Sequence, residues 1–423
     1  MIGRLRSAIR QHAVFFKNMF WQYLTEIAKY VLPFITFPYL TRVLRPESYA
    51  IYAYVLAFMG LAQVIVDYGF RLSGTTAVSR VREDKSAVSK IVGQITYARL
   101  IISLVVGCGI ALIAPFIELL RENALFTFLS FLVVVLQALL PDYVFQSYEK
   151  MRTLTTRYLI TKSLSVVGIL LLIHNPDDLM LIAAINIVCA ALGYGWTLKA
   201  MRRDFSVATD WSALDGIWDQ IKTSSLYCFS NISSALFNGF TTVVIGLVLT
   251  DKAELAYWSL GITAIGCVQS LYGPIANSLY PHMINGRDLK FAYRLGIAAA
   301  PVLAVGTTLF MVLADFIVAV LGGQGYEPAA KVLVWLSPIL PVSFYGIYIG
   351  WPILGAIGEV RKLTLSTVIS GVTNVALMSA AAVTGVASLS VICSIRVFIE
   401  LLMLVLRGTF LAAVLRNGKV RSA

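Results

Sequence analysis

Charge is scarce in this sequence. Only 13% of its 423 residues are Asp, Glu, Lys or Arg, about half the ~25% that a soluble domain uses to face water. Its three histidines, His12, His174 and His282, show no ligand-like spacing. The five cysteines (Cys108, Cys189, Cys228, Cys267, Cys393) sit inside apolar stretches without metal-ligand spacing and are read as buried small hydrophobes. There is no phosphate-cradling loop, no HExxH pair and no dinucleotide fingerprint. Gly322-Gly323-Gln324-Gly325 reads as an outer-loop turn. No metal, no cofactor and no enzymatic activity are therefore expected. A cleavable leader is not expected either, because Met1-Ile2-Gly3-Arg4-Leu5-Arg6 runs into a basic amphipathic stretch.

What is abundant is apolar surface, at 58% of residues. It falls in runs of the ~20-residue length that crosses a bilayer. The runs predict an all-α membrane protein with twelve transmembrane helices, near 19–40, 49–71, 91–114, 124–148, 155–173, 179–200, 222–248, 255–280, 293–318, 330–354, 362–384 and 387–411. With the N-terminus inside, 23 of the 34 Lys and Arg fall in inner loops and tails, and five in outer loops. The positive-inside rule then puts both termini in the cytoplasm. It also explains the net charge of +12 without nucleic acid. Sliding the sequence by 205 positions aligns Tyr52 with Tyr257, Arg82 with Arg287 and Lys85 with Lys290. Two pseudo-symmetric six-helix lobes, 1–210 and 211–423, are expected around a central cavity, joined by a stretch near 201–221.

The remaining six cations lie within predicted spans, where an ionisable group costs at least a few kcal/mol and marks a functional candidate. Arg71 and Arg407 are close enough to a surface to snorkel. Lys29, Arg99, Lys162 and Arg396 lie deeper. Glu26 stands one turn from Lys29, Asp67 from Arg71, and Glu400 from Arg396, so each of these could be a self-neutralised pair. Arg99 and Lys162 have no carboxylate at helical spacing. They share polar faces with Thr96, Ser103 and Gly107, and with Thr155, Tyr158 and Ser165. These two are the leading candidates for meeting an anion carried by a substrate, with Lys29, Arg396, Asn231 and Asn238 as further binding candidates. Uncharged stripes such as Asn231, Ser234, Asn238 and Thr241, or Thr367, Ser370 and Asn374, also fit plain helix packing. Asp142 and Glu26 are the candidates for coupling to an ion.

Three stretches carry a resemblance. Leu44-Arg45-Pro46-Glu47-Ser48-Tyr49-Ala50-Ile51-Tyr52, Asp67-Tyr68-Gly69-Phe70, and Pro141-Asp142-Tyr143-Val144-Phe145-Gln146-Ser147-Tyr148-Glu149-Lys150-Met151 resemble motifs of the Wzx-type polysaccharide flippases. That family lies in the multidrug/oligosaccharidyl-lipid/polysaccharide exporter superfamily, and the resemblance runs along essentially the whole chain. Arg45 and Ala50 stand where the family usually has glycine. The resemblance implies two six-helix bundles around a cavity. It implies that an undecaprenyl-diphosphate-linked oligosaccharide is moved from the inner to the outer leaflet of the bacterial inner membrane. Membrane lipid, a polysaccharide polymerase and a chain-length regulator are its implied partners. A multidrug exporter of the same superfamily is the alternative. It is disfavoured because export of cationic drugs calls for an acidic cavity, whereas the unpaired deep charges here are positive. A membrane glycosyltransferase or polymerase would need long outer loops, and those here are short.

Overall fold

The computed structural model describes the backbone of residues 2–238, 240–249, 251–273, 275, 276, 279, 283 and 289–416. Side chains are described from residue 20 onward within these ranges, except at 30, 226, 227, 229–231 and 233–238. The described chain is helical without strands. The helices are α1 Ile2–Asp67, α2 Phe70–Arg80, α3 Lys85–Ile113, α4 Glu118–Glu122, α5 Ala124–Ala138, α6 Asp142–Ser147, α7 Met151–Leu172, α8 Leu179–Phe205 and α9 Ile217–Asn238. There follow α10 Phe240–Val248, α11 Lys252–Ser270, α12 Leu289–Val312, α13 Ala314–Leu321, α14 Ala329–Leu336, α15 Ile339–Ile349, α16 Val360–Val383 and α17 Leu389–Arg416.

Among the described residues, nine helical stretches are long and apolar enough to cross a membrane. One of them, Phe20–Arg80, spans 61 residues and contains both of the first two predicted spans. The spans placed at 222–248 and 255–280 run into residues outside the description. The outer loop predicted near 41–48 shortens to a kink between two helices. The chain stays helical there and turns only at Arg45, whose φ of 58° and ψ of 170° interrupt α1. Glycine reaches that region freely and other residues at a cost, so the family's glycine position keeps a glycine conformation while carrying an arginine.

Two compact units are distinguishable. The first comprises Met1–Tyr39 and Met59–Ile232; the second comprises Leu40–Phe58 and Ser233–Ala423. In the first, α8 packs against α5 and α7, and α2 against α6. Large apolar side chains such as Leu104, Val105, Phe116 and Leu171 face outward, while Thr96, Ser103, Thr127, Ser130 and Thr155 are buried. That is the arrangement expected where the solvent is hydrocarbon: apolar groups meet lipid, and hydroxyls join helices internally. The stretch expected as a long linker shortens to 206–216, since α8 continues to Phe205 and α9 begins at Ile217. It is fastened along α3: Lys90 pairs with Asp215 at 2.7 Å, Gln94 donates to the Asp215 carbonyl at 2.6 Å, and Tyr97 donates to the Trp211 carbonyl at 2.7 Å. The Lys90 ammonium holds the Asp215 carboxyl below its ordinary range. In the second unit, α17 packs against α15 and α16, and α11 against α14.

Candidate functional site

Chain breaks at two of the three motifs build the site. In Asp67-Tyr68-Gly69-Phe70, Tyr68 and Gly69 take consecutive positive φ values of 45° and 79°, ending α1 and starting α2. In the third motif, Leu139, Leu140 and Pro141 separate α5 from α6, and Glu149 at φ 57° turns the chain into α7. Pro141 has no N–H to continue a helix and disfavours helical backbone before it. These breaks place Asp67, Phe70, Asp142 and Tyr143 around Arg99 of α3. Gly74 of α2 allows the Tyr143 ring to lie close, since a Cβ there would stand 2.9 Å from it.

Arg99 is only 4% exposed. Its guanidinium lies between the Phe70 and Tyr143 rings, 5.7 and 5.5 Å from their centroids, a contact that favours a cation. One Nη donates to the Leu140 carbonyl at 3.0 Å, using the acceptor freed by the break, and Nε has no hydrogen-bond partner among the described residues. The side chain lines a cavity of about 490 Å³ that lies wholly within the first unit, inside the ~300–1,000 Å³ range of small-molecule sites. Lys29, Arg71, Arg157 and Lys162 also line it, against the carboxylates of Asp67 and Asp142. The wall therefore carries an excess of positive charge.

These charges are committed to different degrees. Arg157 is spent: its two Nη atoms meet both Asp142 oxygens at 2.5 and 2.9 Å, and one also donates to Thr197 at 3.0 Å. This forked, charge-assisted pair clamps α6 to α7 and α8. Asp142, the first candidate for ion coupling, is thus the partner of Arg157. Lys29 pairs with Glu26, the second such candidate, at 2.7 Å on a half-exposed face. Asp67 and Arg71 do not form the expected helical ion pair, because the helix ends between them. Asp67 instead lines the same cavity as Arg99 and Arg71. Lys162 forms neither an ion pair nor a hydrogen bond among the described residues, and it too lines the cavity.

Of the sequence candidates, the structure gathers Arg99, Lys162 and Lys29 on one wall system and adds Arg157, which proximity to a span end had assigned to a cytoplasmic loop. Arg396 lies in the second unit, bonded to Glu400 at 2.9 Å and 5% exposed. The side chains of Asn231 and Asn238 lie outside the described residues. Asn374 donates to Thr241 at 3.2 Å, so those two stripes meet as a packing contact. Arg407 does not snorkel. It is buried and donates to the Ser366 hydroxyl, the Gly346 carbonyl and the Thr367 hydroxyl at 3.2, 2.7 and 3.1 Å.

Fold and cavity together define a polytopic helical membrane protein with a cation-rich internal pocket. A family model described as "Polysaccharide biosynthesis protein" matches residues 15–286, and the chain belongs to that family. It is 21% identical over 349 residues to a protein of Escherichia coli (strain K12) named "Putative O-antigen transporter", covering 78% of this chain and 81% of that one. A Shigella dysenteriae protein of the same name is 24% identical over 303 residues, covering 67% and 71%. Among solved structures, the fold is shared with a multidrug resistance MATE family transporter of the MOP superfamily in an inward-facing conformation. That match has a TM-score of 0.70 at 14% identity and covers 94% of this chain and 96% of that one. It is shared equally with the lipid II flippase MurJ in an inward closed conformation, with a TM-score of 0.68 at 13% identity and coverage of 94% and 87%.

Proposed function

We propose that this chain is a flippase for an undecaprenyl-diphosphate-linked oligosaccharide, such as an O-antigen, capsule or exopolysaccharide repeat unit. It moves its substrate from the inner to the outer leaflet of the bacterial inner membrane by alternating access of two lobes, 1–210 and 211–423, with both termini cytoplasmic. The observation that carries the reading is Arg99: a nearly buried guanidinium, held by two rings and one carbonyl, lining the same cavity as Lys162, which is unpaired among the described residues. The diphosphate is the part of such a substrate that most needs compensation inside a membrane. A guanidinium grips phosphate oxygens through a planar donor set, while an ammonium adds a point charge. The positive wall favours this cargo over a cationic drug, and the names of the two curated relatives agree with it.

Lys29 is a weaker contact, because Glu26 already occupies it. Arg396, Asn231 and Asn238 stay in the proposal as second-lobe contacts, with Arg396 the least available. Complementation of a flippase-null strain, with inserted protein checked by blot, tests the reading. Arg99→Ala and Lys162→Ala are each expected to abolish surface glycan, and Arg99→Lys to retain part of it. Full export by the double alanine variant would remove the anion-cavity mechanism.

A further inference from the structure

The cavity has one wall without charge. Along α8, Asn186, Cys189, Ala190 and Gly193 line it at helical spacing, and Thr197 closes the series by accepting from the Arg157 guanidinium. The side chains between the two ends are small, so space is left open beside Lys162 of α7. At the far end Ser165 of α7 donates to Asn186 Oδ1 at 2.9 Å. This bond fixes the carboxamide and leaves its NH₂ without a partner among the described residues. From Arg157 to Ser165 the helix rises about 12 Å at ~1.5 Å per residue, with Lys162 between them. Along α7 and α8 the cavity thus runs from a charged end at Arg99, Asp142 and Arg157, past the Lys162 ammonium, to the oriented Asn186 amide. A diphosphate alone fills only part of 490 Å³, and nothing in its chemistry calls for an amide or a small-residue wall.

We infer that the α8 wall from Asn186 to Gly193 is a saccharide subsite, taking the neutral sugar bonded directly to the diphosphate, with the Asn186 amide as its polar contact. This inference rests on the flippase reading. With phosphate oxygens on Arg99 and Lys162, the next group along the ligand lies against α8. A sugar ring there meets a donor for its hydroxyl or acetamido oxygens, and it meets no charge that would have to be desolvated. Cys189 and Ala190 leave the ring its volume, where larger residues would exclude it, while Gly193 lets α8 pack closely on Thr161 of α7.

The test is calorimetry on the purified full-length chain in detergent with three ligands. They are farnesyl diphosphate and its two glycosylated forms, one carrying a single glucose and one a single N-acetylglucosamine. Wild type is expected to bind at least one glycosylated form several-fold more tightly than the bare diphosphate. Asn186→Leu should weaken that form by about fivefold, the scale of one net hydrogen bond. Ala190→Leu, which fills the space, should erase the advantage of the sugar. Both variants should bind bare farnesyl diphosphate as wild type does, which also shows that they are folded. The subsite is overturned if neither glycosylated form binds wild type more tightly than the bare diphosphate. It is equally overturned if the two variants weaken all three ligands alike. Binding of none of the three by wild type would bring down the flippase reading, and the subsite with it.

Discussion

Both units bury arginine at depths where charge is costly, but they satisfy it differently. In the second unit Arg407 spends its donors on two hydroxyls and a carbonyl, and Arg396 lies against Glu400. Both arginines there are bonded inside the protein, although Glu400 keeps a buried Oε2 without a hydrogen-bond partner among the described residues. In the first unit Arg157 is treated the same way by Asp142 and Thr197. Among the described residues Arg99 keeps an unpartnered Nε and Lys162 has no bond, and both line a cavity. Depth in a span therefore does not separate structural from functional cations; the residual bonding capacity facing open volume does. A fully satisfied arginine holds helices together, whereas a partly satisfied one on a cavity wall is preorganised for an anion that has yet to arrive.

That contrast can be broken by single substitutions, and the largest effect should fall on the satisfied charges. Arg407→Ala removes three buried hydrogen bonds and strips the Ser366 and Thr367 hydroxyls of their donor, and Arg157→Ala leaves Asp142 without its partner. Each is expected to destabilise the detergent-solubilised protein by about 3 kcal/mol or more, the usual cost of removing one member of a buried polar network. Arg99→Ala removes one hydrogen bond and two ring contacts and should cost about 2 kcal/mol, whereas Lys162→Ala removes none among the described residues and should cost about 1 kcal/mol or less. Thermal unfolding followed by tryptophan fluorescence orders the four variants. An Arg407→Ala protein as stable as wild type would erase the distinction between the units. A smaller effect of opposite sign is expected at Arg45, where glycine relieves the positive φ without losing a buried contact. Arg45→Gly should stabilise by about 1 kcal/mol, and a drop in midpoint would show that the arginine side chain contributes more than its backbone costs.

Much of this was legible in the sequence, and the reasons the rest was not are particular. Arg99 and Lys162 stood out because each is the lone cation on a polar helical face. Arg157 was missed because it lies near a span end, where loop and span residues look alike. Its partner Asp142 is fifteen positions away across a helix break, so no helical spacing announces the pair. The expected Asp67–Arg71 pair assumed a continuous helix, and Tyr68 and Gly69 interrupt it with left-handed backbone. Arg407 was read as snorkelling because position along a helix gives depth but not rotation. Its partners Ser366 and Thr367 belong to another helix, α16. The motifs served better than periodicity: each contains a residue at positive φ, and the breaks in the second and third aim the cavity residues.

The most direct measurement uses a thiol already in place. Cys189 is a buried thiol on the wall of the cavity that Lys162 also lines, while Cys108 is exposed elsewhere on the first unit. Alkylation of the purified protein can be followed peptide by peptide by mass spectrometry, with and without farnesyl diphosphate. The anion-cavity account predicts that the ligand slows modification of Cys189 several-fold in wild type and leaves Cys108 unaffected. It predicts that this protection disappears in the Arg99→Ala, Lys162→Ala protein. Equal protection of Cys189 in wild type and the double variant, or none in wild type, would contradict it.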